Sequence, residues 1–271
     1  MNLILQGPSL TRAVVERKFA DLDEVAPHAF CVRGMEKSEA IEKWCEERRI
    51  DCAWVPEGRK FADLKLVAMD MDSTLITIEC IDELGDLAGK KMEVAAITAR
   101  AMRGELDYPA SLRERVSLLK GLPESALEAV YAKRLRLTPG AETLLAACKK
   151  HGVKLLLVSG GFTYFTERLK ARLGLDYTIS NVLEISDGRL TGGLVGEIVD
   201  ADAKAAKFLS VVSELGIRKS QTVAIGDGAN DLKMMAQAGL SVAFRAKPVV
   251  RAQADCALTW SGLDAVINLF D

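Results

Sequence analysis

The stretch LVAMDMDSTL, Leu66 to Leu75, decides how this chain is read. Its first half is an unbroken apolar run, the pattern of a parallel strand covered on both faces. Its second half sets two carboxylates, Asp70 and Asp72, two positions apart and follows them with two hydroxyls. Acids at the end of a strand without solvent need a partner, because an unpaired buried charge is costly. Three more runs of the same kind follow: VKLLLVSGG from Val153, TVAIGDG from Thr222 and LSVAF from Leu240. Helical segments such as GAETLLAACKKHG and AKAAKFLSVVSELG lie between them. Strands alternating with helices predict an α/β fold, a parallel sheet with helices on both faces.

Residues 76–135 interrupt the alternation. They hold four helical patterns, CIDELGDLAG, MEVAAITARAMRG, PASLRERVSLLKG and PESALEAVYAKRL, and no strand. This predicts a helical insertion over the sheet edge where chemistry would sit. Further on, two β-like runs flank Asp187-Gly188, a strong two-residue hairpin signal. Residues 1–62 form a unit of their own. NLILQG, AFCVRG and DCAWVP suggest three strands and SLTRAVVERKFADL and KSEAIEKWCEERRI two helices, in the order βαβαβ. Residues 63–271 then form the main domain.

The 271 residues suffice for a sizeable core. A net charge of −2 without a basic block argues against nucleic acid or an acidic membrane surface as partner. The six cysteines form no C-x-x-C pair and only two histidines occur, so a zinc site is not expected. Scattered single cysteines suit reduced thiols and a cytoplasmic location. The N-terminal aliphatic run is too short for a signal peptide or a membrane span.

In open α/β sheets ligands bind beyond the carboxyl ends of the strands. The first core strand ends in Asp70 and Asp72, the second in Ser159-Gly160-Gly161, and the third in Gly226-Asp227-Gly228 followed by Asn230 and Asp231. Lys204 opens the helix between the second and third. Clustered carboxylates repel unless a cation lies among them, and oxygen donors without His or Cys point to Mg²⁺. Glycines admit an anion close to backbone N–H groups, and a lysine adds a point charge for phosphate. A carboxylate can itself attack phosphorus, and a second one nearby can move the protons.

Taken together, DMDST, VSGGF, Lys204 and GDGAND resemble the four motifs of the haloacid dehalogenase superfamily of phosphohydrolases, with D-x-D-S-T in the form of its phosphoserine phosphatase branch. The resemblance spans Leu66 to Ile267. It implies a Rossmann-like core with an inserted helical cap, a small N-terminal α+β domain, and hydrolysis of O-phospho-L-serine as the last step of serine biosynthesis. It implies Asp70 as nucleophile and Asp72 as general acid/base. Mg²⁺ would be held by the carboxylates of Asp70 and Asp227 and the backbone carbonyl of Asp72, supported by Asn230 and Asp231. Ser159, Gly160 and Lys204 would bind the phosphoryl oxygens. Glu79 and Arg115 match the residues that take the substrate's ammonium and carboxylate, roles their charges suit. Met102 and Tyr108 match cap positions near the substrate. Tyr108 stands where Phe is usual, a change expected to matter little.

Other readings stay open at this level. The same core could act on another small phosphate ester, or pass the phosphoryl group to another alcohol such as homoserine. A non-catalytic regulatory protein on this fold is disfavoured by the intact Asp70, Asp72, Lys204 and Asp227. DMDST is no EF-hand, since Leu75 and Ile81 stand where Gly and Glu are required. No G-x-G-x-x-G or P-loop follows the first strand. Ser111 and Arg115 share a helix face through their i, i+4 spacing. Bacterial members of the family often carry small N-terminal domains, some similar to amino-acid-binding ACT domains; the βαβαβ order read here departs from their βαββαβ, which argues against serine feedback through this unit without settling whether it is ACT-like. Packing, or contact in a homodimer, serves equally well.

Overall fold

A computed structural model describes residues 1–270. The N-terminal unit runs β1 (Asn2–Gln6), α1 (Arg12–Glu16), β2 (Asp23–Ala26), β3 (Ala29–Val32), α2 (Glu39–Glu47) and β4 (Asp51–Val55). Its four strands form an antiparallel sheet in the order β2-β3-β1-β4. The order is therefore βαββαβ, the split βαβ arrangement, and corrects the three-strand reading. The missed strand, Asp23-Glu24-Val25-Ala26, lies at the sheet edge and is largely exposed, so it carries no apolar alternation to betray it. With four strands, the unit has the βαββαβ order of ACT domains.

The central strands of that sheet are buried on both faces. Leu3 and Leu5 of β1 turn toward α1 and α2, while Ile4 between them joins the core of the main domain. The period of two along a strand produces this division. Asp51, 2% exposed, holds the junction. Its carboxylate accepts the backbone N–H groups of Thr259 (2.6 Å), Trp260 (3.1 Å) and Ser261 (2.8 Å).

The main domain continues with β5 (Leu66–Met69), then α3 (Cys80–Leu87), α4 (Lys91–Met102), α5 (Tyr108–Ser117) and α6 (Ser125–Lys133). These four helices match the four expected patterns. Ile76 bridges Leu137 where the insertion leaves and rejoins the core. Next come α7 (Ala141–Lys150), β6 (Lys154–Phe162), α8 (Thr163–Leu173), β7 (Tyr177–Ser186) and β8 (Arg189–Val195). Asp187 (φ 50°) and Gly188 (φ 70°) turn the β7–β8 hairpin, as the left-handed pair of a tight hairpin turn requires. Then follow α9 (Ala201–Glu214), β9 (Thr222–Gly226), α10 (Leu232–Met235), β10 (Leu240–Phe244), α11 (Pro248–Arg251) and β11 (Cys256–Leu258), with a 3₁₀ segment at Leu263–Leu269 beyond them. The short edge strand β11 was not anticipated, since three residues show no periodicity.

The sheet order is β11-β10-β9-β5-β6-β7-β8, parallel except for the β7–β8 hairpin. β5 lies at the centre. Met69 pairs with Leu157 of β6 on one side and Ile225 of β9 on the other. This register brings the carboxyl ends of three strands level, which places Asp70, Ser159 and Asp227 side by side.

Candidate active site

Beyond β5 the chain makes a wide turn. Leu75 N–H donates to Asp70 O (3.3 Å) and Ile76 N–H to Met71 O (3.0 Å), each five residues back. Ser73 adopts φ 56° inside it, a conformation that costs a non-glycine residue on the order of 1–3 kcal/mol. Its hydroxyl donates to Glu79 Oε1 (2.7 Å), which helps to offset that cost. The turn separates the two acids. Asp70 Oδ1 accepts the Met71 N–H (2.8 Å) and the Lys204 ammonium (3.0 Å). Asp72 Oδ1 instead accepts the N–H of Cys80 (3.2 Å), the first residue of α3. Two carboxylates so close in sequence therefore face different surroundings.

Lys204 lies in the first turn of α9, capped by Asp200, and is wholly buried. Its ammonium bridges Asp70 and Asp231 Oδ1 (2.8 Å). Asp231 Oδ2 also accepts the Gly228 N–H (3.1 Å). Carboxylate oxygens of Asp70, Asp227 and Asp231 lie within 4.8 Å of one another. Burial, the Asp231 carboxylate and Asp227 push Asp70 well above the ordinary aspartate range, with Lys204 pulling the other way. Burial and Asp231 raise Asp227 to about 7. Three hard oxygen donors gathered this closely suit a divalent cation, which would relieve the repulsion between Asp70 and Asp227.

At the end of β6, Ser159 Oγ accepts the Gly161 N–H (2.8 Å). A Cβ on Gly160 would lie 2.1 Å from the Tyr108 hydroxyl, and one on Gly161 2.7 Å from Asp72 Oδ2. A side chain at either position would have to displace these groups. The Tyr108 hydroxyl donates to Gly160 O (3.0 Å), tying α5 to the glycine loop. The hydroxyl expected to matter little thus makes a link that Phe could not. Asn181 Nδ2 donates to the same carbonyl (2.8 Å).

A cavity of about 640 Å³ opens over these strand ends. Asp70, Asp72, Glu79, Met102, Tyr108, Arg115, Gly160, Asp227 and Asn230 line it. Ser159, Lys204 and Asp231 are fully buried beneath this lining and bear on the cavity through their neighbours. Burial, and then Glu79, raise Asp72 to about 8. Loss of hydration raises Glu79 as well, while Ser73, Lys247 and Arg115 favour its charged form. Arg115 Nε donates to Ser111 O (3.3 Å) within α5.

Several cavity residues escaped the sequence reading. Lys247 lines the mouth, and its N–H donates to Asp227 O (3.1 Å). It arrives from beyond β10 and carries no local signal. Asp82, in the first turn of α3, lines the cavity as well. Thr74 Oγ1 donates weakly to Asp227 Oδ1 (3.4 Å). Ser73 and Thr74 stand inside the quoted DMDST motif, but their partners were invisible there.

A parallel α/β sheet that gathers carboxylates, a buried ammonium and a close-approach glycine loop at its carboxyl edge defines a class suited to phosphoryl chemistry. The model of the haloacid dehalogenase-like hydrolases matches residues 67–236, and the chain belongs to that family. Among its relatives, a phosphoserine phosphatase of Polaromonas sp. is 57% identical over 78% of this chain and 91% of its own length. The structure of a probable phosphoserine phosphatase from Vibrio cholerae, solved unliganded, superposes with a TM-score of 0.86 at 41% identity, covering 99% of this chain and 86% of that one. A substrate-bound phosphoserine phosphatase superposes at 0.72 and 41% identity, covering 77% of this chain and 99% of that one.

Proposed function

We propose that this protein hydrolyses O-phospho-L-serine to L-serine and phosphate through an aspartyl-phosphate on Asp70. The observation that carries the mechanism is the divergence of the two acids: Asp70 ends β5 against Lys204, while Asp72 turns away to the start of α3. The high identity to phosphoserine phosphatases supports the substrate.

An Asp70 oxygen forms a bond to phosphorus as the bond from phosphorus to the seryl oxygen breaks. Asp72, whose raised pKa keeps it largely protonated near neutral pH, gives its proton to that oxygen, and serine leaves. Asp72 then takes a proton from a water that attacks the same phosphorus, releasing phosphate and restoring Asp70. Lys204 keeps Asp70 oriented, and Gly160, on the cavity lining, takes a phosphoryl oxygen on its backbone N–H. Glu79 takes the substrate's ammonium and Arg115 its carboxylate; Met102 and Tyr108 close the cavity over it.

The oxygen donor set favours Mg²⁺, held by Asp70, Asp227 and the backbone carbonyl of Asp72, with Asn230 and Asp231 in support. When bound, it supplies positive charge at the transferring phosphoryl group. Scattered cysteines that form no C-x-x-C pair suit a reducing compartment, and we place the enzyme in the cytoplasm.

The test is phosphate release from a panel of phosphomonoesters with Mg²⁺ or with EDTA, for wild type and Asp70→Asn. Phosphoserine should lead the panel, and both EDTA and the substitution should remove nearly all turnover. Equal rates on phosphoserine and on esters lacking the amino acid group would refute the substrate; undiminished turnover by Asp70→Asn would refute the mechanism.

A further inference from the structure

Ser111 stands out on the wall of the cavity. It is 1% exposed, and its hydroxyl is buried with no hydrogen-bond partner. Leaving such a group unsatisfied costs about 1–3 kcal/mol, so a buried orphan calls for an explanation. Its surroundings limit the choices. Ser111 N–H donates to Asp107 O (3.0 Å), and Ser111 O accepts Arg115 Nε (3.3 Å). Both main-chain groups are thus engaged, and only the side chain lacks a partner. Tyr108, Ser111, Leu112 and Arg115 lie on one face of α5, and all four line the cavity.

We infer that the Ser111 hydroxyl is a specificity determinant, donating to the carboxylate of the bound amino acid phosphate alongside the guanidinium of Arg115. The inference rests on the phosphoserine reading above and adds a residue to it. The i, i+4 spacing places the two side chains one turn apart on the same strip of helix. A carboxylate has about four lone-pair sites, so a guanidinium fork leaves room for a further donor. A serine hydroxyl changes direction by rotation about χ1 between staggered wells. The unpartnered hydroxyl then has a function. Its cost is relieved only when a ligand with an acceptor at that place enters, so ligands lacking the carboxylate gain nothing from it.

The experiment is Ser111→Ala, assayed with O-phosphoserine and with O-phosphoethanolamine, which keeps the phosphate and ammonium but has no carboxylate. The second compound is used as substrate or as competitive inhibitor. A hydrogen bond to a charged group should be worth about tenfold, so KM for phosphoserine should rise about tenfold with kcat almost unchanged. Phosphoethanolamine should bind both proteins equally, and Tm should not fall, since Ala removes an unsatisfied group. An unchanged KM for phosphoserine, or equal weakening of both ligands, would overturn the assignment. A fall in Tm of more than a few degrees would also do so, because the hydroxyl would then be serving the fold. If wild type fails to distinguish the two ligands, the phosphoserine reading itself fails, which is a separate outcome.

Discussion

Replacing Lys204 by Met should test the electrostatic framework of the site most severely. The two side chains are similar in length, so packing changes little while the charge disappears. Lys204 is fully buried and lies 3.0 Å from Asp70 and 2.8 Å from Asp231. Burial by itself would lower its pKa, but the Asp231 and Asp70 carboxylates outweigh that and hold it above the ordinary lysine value. Removing one partner of a buried charge network costs about 3–5 kcal/mol, because the remaining charges stay desolvated. For a chain near this length that should lower Tm by roughly 10 °C. The pH dependence follows from Asp70. Its folded pKa is already raised by burial, and Lys204 is what restrains it. Without the lysine it rises further, so between the unfolded and folded values the unfolded chain binds fewer protons. Stability then falls as pH rises, and the loss should be smaller near pH 5 than near pH 8. Urea unfolding at both pH values, without metal, reads this directly. Added Mg²⁺ should recover part of the loss by binding the folded state. Turnover should drop by about 10² or more. A destabilisation below about 1 kcal/mol, or one independent of pH, would refute the view that Lys204 neutralises the two acids.

Two further expectations concern charge. Asp72 is raised to about 8, chiefly by burial. Its folded pKa exceeds the unfolded one, so metal-free wild type should lose stability as pH climbs from about 4 to about 8. Thermal melts in EDTA should show a flatter profile for Asp72→Asn, and identical profiles would count against the assignment. Lys247 lines the cavity mouth, where a positive charge draws in an anionic substrate. Lys247→Gln should lower kcat/KM several-fold at low salt and leave kcat unchanged, and the difference should vanish at high ionic strength. A salt-independent defect would instead assign Lys247 a direct contact.

Much of this was legible in the chain before any coordinates. Apolar runs such as LVAM and TVAIG mark strands buried on both faces, because a covered strand has no polar side to show. Asp187-Gly188 marks its hairpin because few other pairs tolerate left-handed φ at both positions. The acids, glycines and lysine of the cavity are legible because each closes or follows such a strand. The edge strand Asp23–Ala26 was not legible, since its exposed face and acidic residues resemble a loop. Nor was the reach of Tyr108 to Gly160, which joins residues 52 positions apart.

The order of residues along the chain thus determined which groups the molecule owns and which strands carry them: two acids after β5, a serine and glycines in β6, an aspartate after β9. Their arrangement was decided in three dimensions. Strand register set Asp70, Ser159 and Asp227 level with one another. The wide turn at Ser73 parted Asp70 from Asp72. Burial placed Lys204 in a layer beneath the cavity and left the Ser111 hydroxyl in its wall without a partner. Local sequence carries residue type and periodicity, whereas desolvation and the partner of each charge depend on segments far apart in the chain.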